Sequence, residues 1–272
     1  MKTIKTLLLT VLALAGLQAV AQENEIVILA HRGGCGEGME NVEGTFKKSL
    51  EAGIKAYEID VRITKDGKIV LQHDDNLKRT AGLNKRVEDM TEKELREVTL
   101  NDGKSKLMFL DEFLKLMGNY PGLFIEFEMK CKKYDEEMLA VYCDKVAKAV
   151  LKAQPKGSTY AMTSFDVRAL RYIKTKYPEA ELGLITGDGC TKQTVKIAEA
   201  LGVKRIAARL DRTTREDMKY AHKKGMKVNL WPGRHDHSAL RAWAIGADIH
   251  CTDYPARLKK YTEENAKWLK VK

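Results

Sequence analysis

The sequence repeatedly ends a helical segment at a glycine and begins a short apolar strand within a few residues, as at Gly53, Gly202, Gly225 and Gly246. A glycine just past a helix adopts the left-handed conformation that closes it. Short turns of this kind into apolar strands are typical of parallel βα units. Strand-forming runs occur at 26–30, 56–61, 123–128, 159–164, 181–186, 205–210, 227–231 and 248–252. Eight such units predict an α/β fold, a (β/α)₈ TIM barrel, and a doubly wound open sheet is the alternative.

An extra hairpin is predicted after the second strand. Residues 63–70 carry Asp66-Gly67 between two apolar runs, and this dipeptide favours a tight hairpin turn. The following segment, 76–121, is interpreted as one or two helices without a second hydrophobic core.

Several helix starts carry capping residues. The spacing of a threonine three positions before a glutamate is that of a capping box, and a helix over 135–154 has apolar residues at helical spacing. The predicted caps are Asn41, for a helix that ends at Gly53, the pair Thr91 and Glu94, and the pair Thr213 and Glu216.

Residues 1–21 have the organisation of a secretory signal peptide. Lys2 and Lys5 precede an unbroken apolar run over 7–17, and Ala19-Val20-Ala21 places small residues where a signal peptidase cleaves. Since the apolar run is short for a membrane anchor, we expect an exported protein, periplasmic or secreted. No later stretch resembles a membrane helix, and no linker interrupts 22–272, which we interpret as one domain.

The charge and the cysteines exclude some classes of function. The formal net charge of +10 comes from lysines spread over the chain, without the basic cluster and interleaved aromatics of a nucleic-acid surface. The five cysteines include no C-x-x-C pair, so their spacing predicts no zinc site, and no disulfide pairing can be assigned. His235-x-His237 also lacks a further ligand at zinc spacing and is interpreted as a loop.

Paired carboxylates lie on one face of the second predicted strand. Glu58 and Asp60 are two residues apart, so both point to the same side of the strand. Two adjacent ionised carboxylates repel each other strongly, so either one binds a proton or a cation lies between them. Oxygen ligands favour Mg²⁺ or Ca²⁺ over zinc or copper.

A second pair of carboxylates occurs in the next barrel strand. Glu126 and Glu128 again share a face, and Lys130 adds a cation there. Glu128 is the better ligand candidate because it is nearer the C-terminal end of the strand, where barrel enzymes place their chemistry. Glu126 is expected to lie deeper, in a salt bridge.

His31 and His73 are candidates for acid–base chemistry. His31 follows the first strand together with Arg32 and two glycines, a combination that suits an anion site, and His73 ends the extra hairpin. Two imidazoles near one acidic site can serve as acid and base around neutral pH.

The motifs that bear chemistry form one ordered string over about 26–258. It comprises His31-Arg32-Gly33, Glu40-Asn41, Glu58-Ile59-Asp60, Thr64-Lys65-Asp66-Gly67, His73-Asp74, Glu128-Met129-Lys130, Ser164-Phe165, Trp231 and Thr252-Asp253-Tyr254-Pro255. This string resembles the pattern of the glycerophosphodiester phosphodiesterase family. The sequence departs from that pattern at Val42, usually threonine, in the loop 34–39, which lacks a proline, and after Trp231, where the family commonly has Thr-x-Asn.

The resemblance implies the phosphodiesterase version of the TIM barrel and hydrolysis of a small glycerophosphodiester to glycerol 3-phosphate and an alcohol. The nucleophile would be water or a neighbouring glycerol hydroxyl, and we favour the hydroxyl. The residues it implicates are Glu58, Asp60 and Glu128 for a divalent cation (Mg²⁺ or Ca²⁺), His31 and His73 for acid–base catalysis, Arg32 and Lys130 for phosphate, and Trp231 for the substrate pocket. Alternatives are a barrel acting on phosphoinositol or sphingolipid-type head groups, and a catalytically inactive exported binding protein.

Overall fold

Strands and helices alternate as the glycine pattern predicts. The computed structural model describes residues 25–271. Within that range the strands are β1 (Val27–His31), β2 (Ala56–Ile63), β3 (Ile69–Leu71), β4 (Asn76–Leu77), β5 (Leu83–Arg86), β6 (Phe124–Met129), β7 (Thr159–Ser164), β8 (Glu181–Ile185), β9 (Arg205–Arg209), β10 (Lys227–Gly233) and β11 (Ile249–Thr252). The helices are α1 (Glu43–Glu51), α2 (Lys78–Ala81), α3 (Glu92–Glu97), α4 (Leu110–Gly118), α5 (Glu136–Ala153), α6 (Val167–Lys176), α7 (Lys192–Leu201), α8 (Arg215–Lys223), α9 (Asp236–Ile245) and α10 (Pro255–Asn265).

Eight of these strands close into a parallel barrel. The order is β1-β11-β10-β9-β8-β7-β6-β2, and β1 also pairs in parallel with β2, which closes the ring. The predicted barrel is therefore confirmed over the open sheet, and each barrel strand lies within two residues of its predicted bounds. The predicted hairpin is present as well, since β3 pairs antiparallel with β2.

The glycines that follow the helices have the predicted conformation. Gly202 and Gly246 are the left-handed C-caps of α7 and α9, with φ of 67° and 94°. In each case the chain enters the next strand within a few residues, as a short αβ turn requires.

The main hydrophobic core lies between the barrel and its helices. Residues of β1 alternate in their surroundings, because Ile28 and Ala30 pack in the core under the helices whereas Leu29 packs with Ala56 and Ile249 inside the barrel.

Helix α5 is capped by Asp135, whose side chain accepts a hydrogen bond from the Met138 amide.

The segment after the hairpin contributes most of a second small core and contains three helices and the β4–β5 pair, which contradicts the prediction of one or two helices without a core. Besides Val42 from the loop before α1, the buried residues of this core are Val70, Leu77, Val87, Met90, Leu95, Val98, Leu100, Leu107 and Phe109. These residues come from short elements without sustained periodicity, so no pattern in the sequence indicated them. We call residues 64–109 the insertion.

Two of the three predicted caps are wrong. Thr91 and Glu94 form the predicted capping box. The box of α8 consists of Thr214 and Asp217, whereas the neighbouring Thr213 donates to the Arg209 carbonyl. Asn41 caps no helix, because Val42 is the N-cap residue of α1 and the Asn41 side chain is used elsewhere.

Residues 1–21, predicted as a signal peptide, lie outside the described residues. Within 25–271, none of the helices combines the length and apolar character needed to cross a bilayer.

Candidate active site

Three carboxylates from two adjacent strands meet at the C-terminal end of the barrel. Glu58 and Asp60 lie on β2, Glu128 lies on β6, and the strand register places Asp60 opposite Glu128. All three are buried, and each offers an oxygen within 4.8 Å of the others. The structure thus brings the three candidate cation ligands together inside the barrel, and we call them the triad.

Two cations contact the triad directly. The Lys130 Nζ lies 3.0 Å from Asp60 Oδ1 and 2.5 Å from Glu128 Oε1. The Arg32 backbone N–H donates to Glu58 Oε2 at 2.9 Å, and its Nε lies 3.3 Å from Asp60 Oδ2. The Arg32 and Lys130 side chains are thus positioned to form charge-assisted hydrogen bonds with an anion that binds next to the triad.

Burial and neighbouring charges divide the proton affinities of the triad. Burial, together with Asp60 and Glu128, raises the pKa of Glu58 well above its usual range. Burial opposes ionisation of Asp60 too, but Lys130 and Arg32 outweigh it and hold the pKa of that carboxyl well below its usual range. The same carboxylates raise the pKa of Lys130 against the effect of its burial. Asp60 is therefore a fixed negative charge, and Glu58 binds a proton readily unless another cation stabilises its charge.

The triad fits a hard divalent cation. The donor set consists of oxygen atoms alone, which suits Mg²⁺ or Ca²⁺. Glu58 Oε1 is buried and has no hydrogen-bond partner among the described residues, and the same holds for Oδ1 of Asn41, whose Nδ2 donates to Asp60. Buried acceptors without partners are costly, and a bound cation would relieve that cost at Glu58.

The first histidine is held by a carboxylate from the opposite end of the chain. His31 is the last residue of β1, and its Nδ1 lies 2.6 Å from Oδ1 of Asp253, which follows β11. Its Nε2 lies 4.0 Å from Glu58 Oε2, at the edge of the triad. Asp253 therefore fixes the ring so that the other nitrogen faces the site, as the buried aspartate of the serine protease triad does for its histidine.

The second histidine belongs to a chain of ion pairs at the edge of the insertion. His73 Nδ1 lies 2.7 Å from Asp74 Oδ1, and Asp74 Oδ2 accepts from Arg79 Nε at 2.7 Å. Arg79 also makes two hydrogen bonds to Glu40, which in turn pairs with Arg32. Burial lowers the pKa of His73 despite the opposing effect of Asp60. His73 is therefore neutral near pH 7 and able to accept a proton.

The loop after β1 has an unusual backbone conformation that accounts for its residues. Arg32 has a φ of 51°, which turns its backbone N–H toward Glu58. At Gly33, with a φ of 82°, a Cβ would lie 2.8 Å from the Phe46 ring, so only glycine fits. Asn41, with a φ of 56°, orients its amide toward Asp60. The predicted His-Arg-Gly loop is thus built by backbone conformation, and Asn41 positions a triad carboxylate instead of capping a helix.

Trp231 lines the mouth of the barrel with two neighbours. The Phe165 ring packs edge-on against it at 6.2 Å between centroids, and the Arg209 guanidinium lies 5.5 Å from its ring. The indole Nε1 of Trp231 is buried and has no hydrogen-bond partner among residues 25–271. This corner offers apolar and π surface plus one free donor, which is consistent with the predicted pocket role.

Glu126 lies deeper than the triad, but it has no salt bridge among the described residues. Its Oε2 accepts a hydrogen bond of 2.9 Å from the Asn229 amide inside the barrel. Burial raises the pKa of Glu126 to about 7 although that hydrogen bond opposes the shift. The choice of Glu128 over Glu126 as a candidate ligand agrees with the geometry, whereas the expected salt bridge is wrong.

Comparison with known proteins places this site in a family. The model of the glycerophosphoryl diester phosphodiesterase family matches residues 31–257. The chain belongs to this family. The predicted family and enzyme class are thereby confirmed.

Relatives and solved structures of the phosphodiesterase family agree over nearly the whole chain. A glycerophosphodiester phosphodiesterase of Bacillus altitudinis is 25% identical over 87% of this chain and 98% of its own, and a lysophospholipase D of Rattus norvegicus is 25% identical over 86% and 85%. The fold is similar to that of an Oleispira antarctica phosphodiesterase in complex with the product sn-glycerol-3-phosphate, with a TM-score of 0.80 at 22% identity over 87% of this chain and 96% of that one. A protein of Silicibacter pomeroyi described as a glycerophosphoryl diester phosphodiesterase gives a TM-score of 0.82 at 22% identity over 92% and 96%.

The site of this phosphodiesterase-family chain also contains residues that sequence reasoning left without a role. Asp74 and Asp253 belong to the sequence motifs that contain or accompany His73 and His31, so the sequence indicated that they lie near the site. No motif indicated a role for Arg79, because its partner Glu40 is 39 positions away. His235 and His237 are exposed, but His235 is the N-cap residue of α9 and His237 lies in its first turn, so the interpretation as a loop is wrong for His237.

Proposed function

We propose that the chain hydrolyses glycerophosphodiesters to glycerol 3-phosphate and an alcohol, using a divalent cation and two histidines. The observation that carries the proposal is the arrangement of His31 and His73, each supported by an aspartate, beside a triad of buried carboxylates. The family match supports the reaction class, and a structural neighbour was solved with the product glycerol 3-phosphate.

The triad residues Glu58, Asp60 and Glu128 would hold the cation, with Mg²⁺ and Ca²⁺ as the candidates that suit oxygen ligands. When bound, such an ion supplies neutralisation of the charge on the phosphoryl oxygens. Arg32 and Lys130, held in place by the same carboxylates, add fixed positive charge for the diester. Lys130 would then exchange part of its pairing with the triad for a phosphate oxygen.

The two histidines divide the proton transfers. His73, whose pKa is lowered by burial, accepts the proton of the nucleophile. His31, oriented through Nδ1 by Asp253, donates a proton to the departing alkoxide. The nucleophile in the first step is the neighbouring hydroxyl of the glycerol, and rapid-quench detection of a cyclic phosphate would support this route over direct attack by water.

A panel of glycerophosphodiesters assayed with EDTA, and then with Mg²⁺ or Ca²⁺ restored, tests the reaction and its cation. We expect hydrolysis that EDTA abolishes and one of the two ions restores. No hydrolysis of any diester with either ion would refute the proposal and favour an inactive binding protein.

The leaving group tests which histidine is the acid. A glycerol phosphodiester of p-nitrophenol needs little protonation of its leaving group, whereas the diester of choline needs it fully. His31→Ala should therefore lose about 10²–10⁴-fold on the choline diester and far less on the nitrophenyl diester. His73→Ala should lose similar factors on both. The reverse pattern would exchange the two assignments.

Exposed apolar surface at the rim of the pocket favours lysophospholipids as a second class of substrate. Phe165 is 42% exposed and packs against Trp231 at the mouth of the barrel, which provides apolar surface for an acyl chain. Lysophospholipids, phosphoinositol and sphingolipid-type diesters in the same panel, each assayed with Phe165→Ala, distinguish these classes. A lysophospholipase activity would fall in this variant, while hydrolysis of small diesters would not.

We also propose export to the periplasm or the medium, on the pattern of Lys2, Lys5 and the apolar run that precedes Ala19-Val20-Ala21. The mass of the protein recovered from the cell envelope is expected to correspond to a chain that starts near Gln22. Recovery of the uncleaved chain from the cytoplasm would contradict this.

A further inference from the structure

A second group of metal-ligating side chains lies on the other side of His31. Cys35 Sγ is 3.5 Å from His31 Nδ1 and 3.3 Å from Asp253 Oδ1, and Nδ1 and Oδ1 are 2.6 Å apart. The three atoms form a compact triangle at the barrel mouth. His31 and Asp253 are 222 positions apart, so no spacing in the sequence could indicate the group.

The dimensions of this triangle suit a tetrahedral zinc site. Typical zinc distances, about 2.3 Å to sulfur and about 2.0–2.2 Å to nitrogen and oxygen, give ligand–ligand edges of roughly 3.6 Å to sulfur and roughly 3.4 Å between nitrogen and oxygen. The two edges at Cys35 Sγ are already within about 0.3 Å of that value. The edge between Nδ1 and Oδ1 is that of a hydrogen bond, and it would open by about 0.8 Å when an ion replaces the proton.

The chemistry of the donors separates this group from the triad. A thiolate and an imidazole favour zinc-like ions, whereas the all-oxygen triad favours Mg²⁺ or Ca²⁺. The side chains of His31 and Asp253 are 25% and 20% exposed, so an ion and a fourth ligand from solvent can reach them. The imidazole of His31 thus lies between two sites of different selectivity.

We propose that His31, Cys35 and Asp253 form a binding site for zinc or a similar soft divalent cation, and that the bound ion inhibits hydrolysis. The proposal differs from the expectation drawn from cysteine spacing, which indicated no zinc site. Binding displaces the Cys35 thiol proton to solvent, and the neutral imidazole binds through Nδ1 with its proton on Nε2. The ion replaces the hydrogen bond by which Asp253 orients the ring, so that carboxylate no longer aims Nε2 at the edge of the triad.

Cobalt absorption tests the site without reference to catalysis. Co²⁺ is added to the full chain in excess Mg²⁺, and a thiolate-to-cobalt charge-transfer band in the near ultraviolet is expected. Cys35→Ala should abolish the band, and the matched control Cys190→Ala, at a buried free thiol in the loop between β8 and α7, should retain it. Absence of the band from the wild-type chain, or its persistence in Cys35→Ala, would overturn the proposal.

Alkylation provides a second measurement on the unmodified sequence. Iodoacetamide labelling followed by peptide mass analysis should show Cys35 protected by Zn²⁺ and not by Mg²⁺. Equal labelling with either ion would contradict the site even if a variant at Cys35 proved unstable.

The inhibitory part of the inference rests on the proposed function, and kinetics in saturating Mg²⁺ test it separately. Zn²⁺ should lower the rate of the wild-type chain at least tenfold. In Cys35→Ala the inhibition constant should rise by about 100-fold or more, because the loss of a direct ligand should exceed the roughly 10–100-fold cost of losing an outer-shell partner. Equal inhibition of both proteins would place zinc at the triad and refute the inhibitory mechanism, while the cobalt band still reports whether the site binds metal.

Discussion

The barrel and the insertion contribute to one site by different means. The barrel holds the triad on hydrogen-bonded parallel strands under a large core, and it holds His31 through Asp253. The insertion holds His73 next to a separate ten-residue core, and it is tied to the barrel by ion pairs such as that of Arg79 with Glu40. The difference indicates that the triad is positioned by the barrel itself, whereas His73, one of the two histidines proposed to transfer protons, depends on a small accessory core.

The largest expected effect comes from removing the central charge of the barrel half. Asp60→Asn should lower kcat/KM by about 10³-fold or more, since it weakens the proposed cation site and leaves Lys130 and Arg32 short of a partner. Glu88→Gln is the matched change at a buried acid that pairs with Arg62 at the insertion. It should affect stability but leave the cation dependence of the rate intact. Similar activity losses in both variants would argue against a division between the halves.

A pair of identical truncations compares the two cores. Leu95 lies in the core of the insertion and Leu170 in the core under the barrel helices, and both are fully buried. Each change to alanine should cost about 3 kcal/mol. Hydrogen exchange should accelerate throughout the barrel in Leu170→Ala and mainly over 76–109 in Leu95→Ala, with a loss of kcat because His73 loses its support. Uniform acceleration in both variants would show a single cooperative unit.

Acid should weaken the barrel through one buried histidine. His250 on β11 is 1% exposed, and burial lowers its pKa to about 4, although a hydrogen bond to the Leu230 carbonyl opposes the shift. Between the unfolded value of about 6.5 and about 4, the unfolded state binds a proton that the native state does not, so stability falls as the pH falls. The loss is on the order of 3 kcal/mol. In His250→Gln the free energy of unfolding should depend less on pH over this range, and an unchanged slope would contradict the assignment.

The smallest expected effect tests the connection between the halves. Arg79→Gln should lower kcat about tenfold, or about 1.4 kcal/mol, because Asp74 loses the partner that positions it against His73. Without Arg79 the full charge of Asp74 acts on His73 and raises the pKa of its imidazole, so the acid limb of the rate profile should move to higher pH. Arg86→Gln, at an arginine of similar exposure that pairs with Glu88, should leave the profile in place. A shift in Arg86→Gln, or none in Arg79→Gln, would exclude a positioning role.

The sequence predicted the parts of the fold that depend on local pattern. The barrel strands follow from apolar runs and from glycines at helix ends, and the shared face of Glu58 and Asp60 follows from the two-residue period of strands. Glu128 was grouped with them only through the family resemblance. The small core of the insertion was missed because its apolar residues lie on short elements. Adjacent threonines also misled the capping assignment, since Thr213 and Thr214 have the same side chain. Thr214 directly precedes α8, whereas the Thr213 hydroxyl donates to the Arg209 carbonyl.

The site residues divide in the same way. Side chains within a motif, such as Asp74 next to His73, were within reach of sequence reasoning. Contacts between distant positions were not, and this applies to Arg79 with Glu40 and to Cys35 with Asp253. Sequence reasoning also did not predict the left-handed backbone conformation of Asn41, which accompanies the hydrogen bond from its side chain to the distant Asp60.

The contact of His31 with Asp253 joins the first strand of the barrel to the loop after the last one. A ribosome must therefore add 222 residues after His31 before this histidine can acquire its supporting carboxylate. Until β11 emerges, β1 lacks one of its two neighbouring strands, and the nascent chain would contain the triad residues and both histidines without an assembled site. The order of translation thus delays assembly of this pair until the eighth barrel strand and the loop after it have been made.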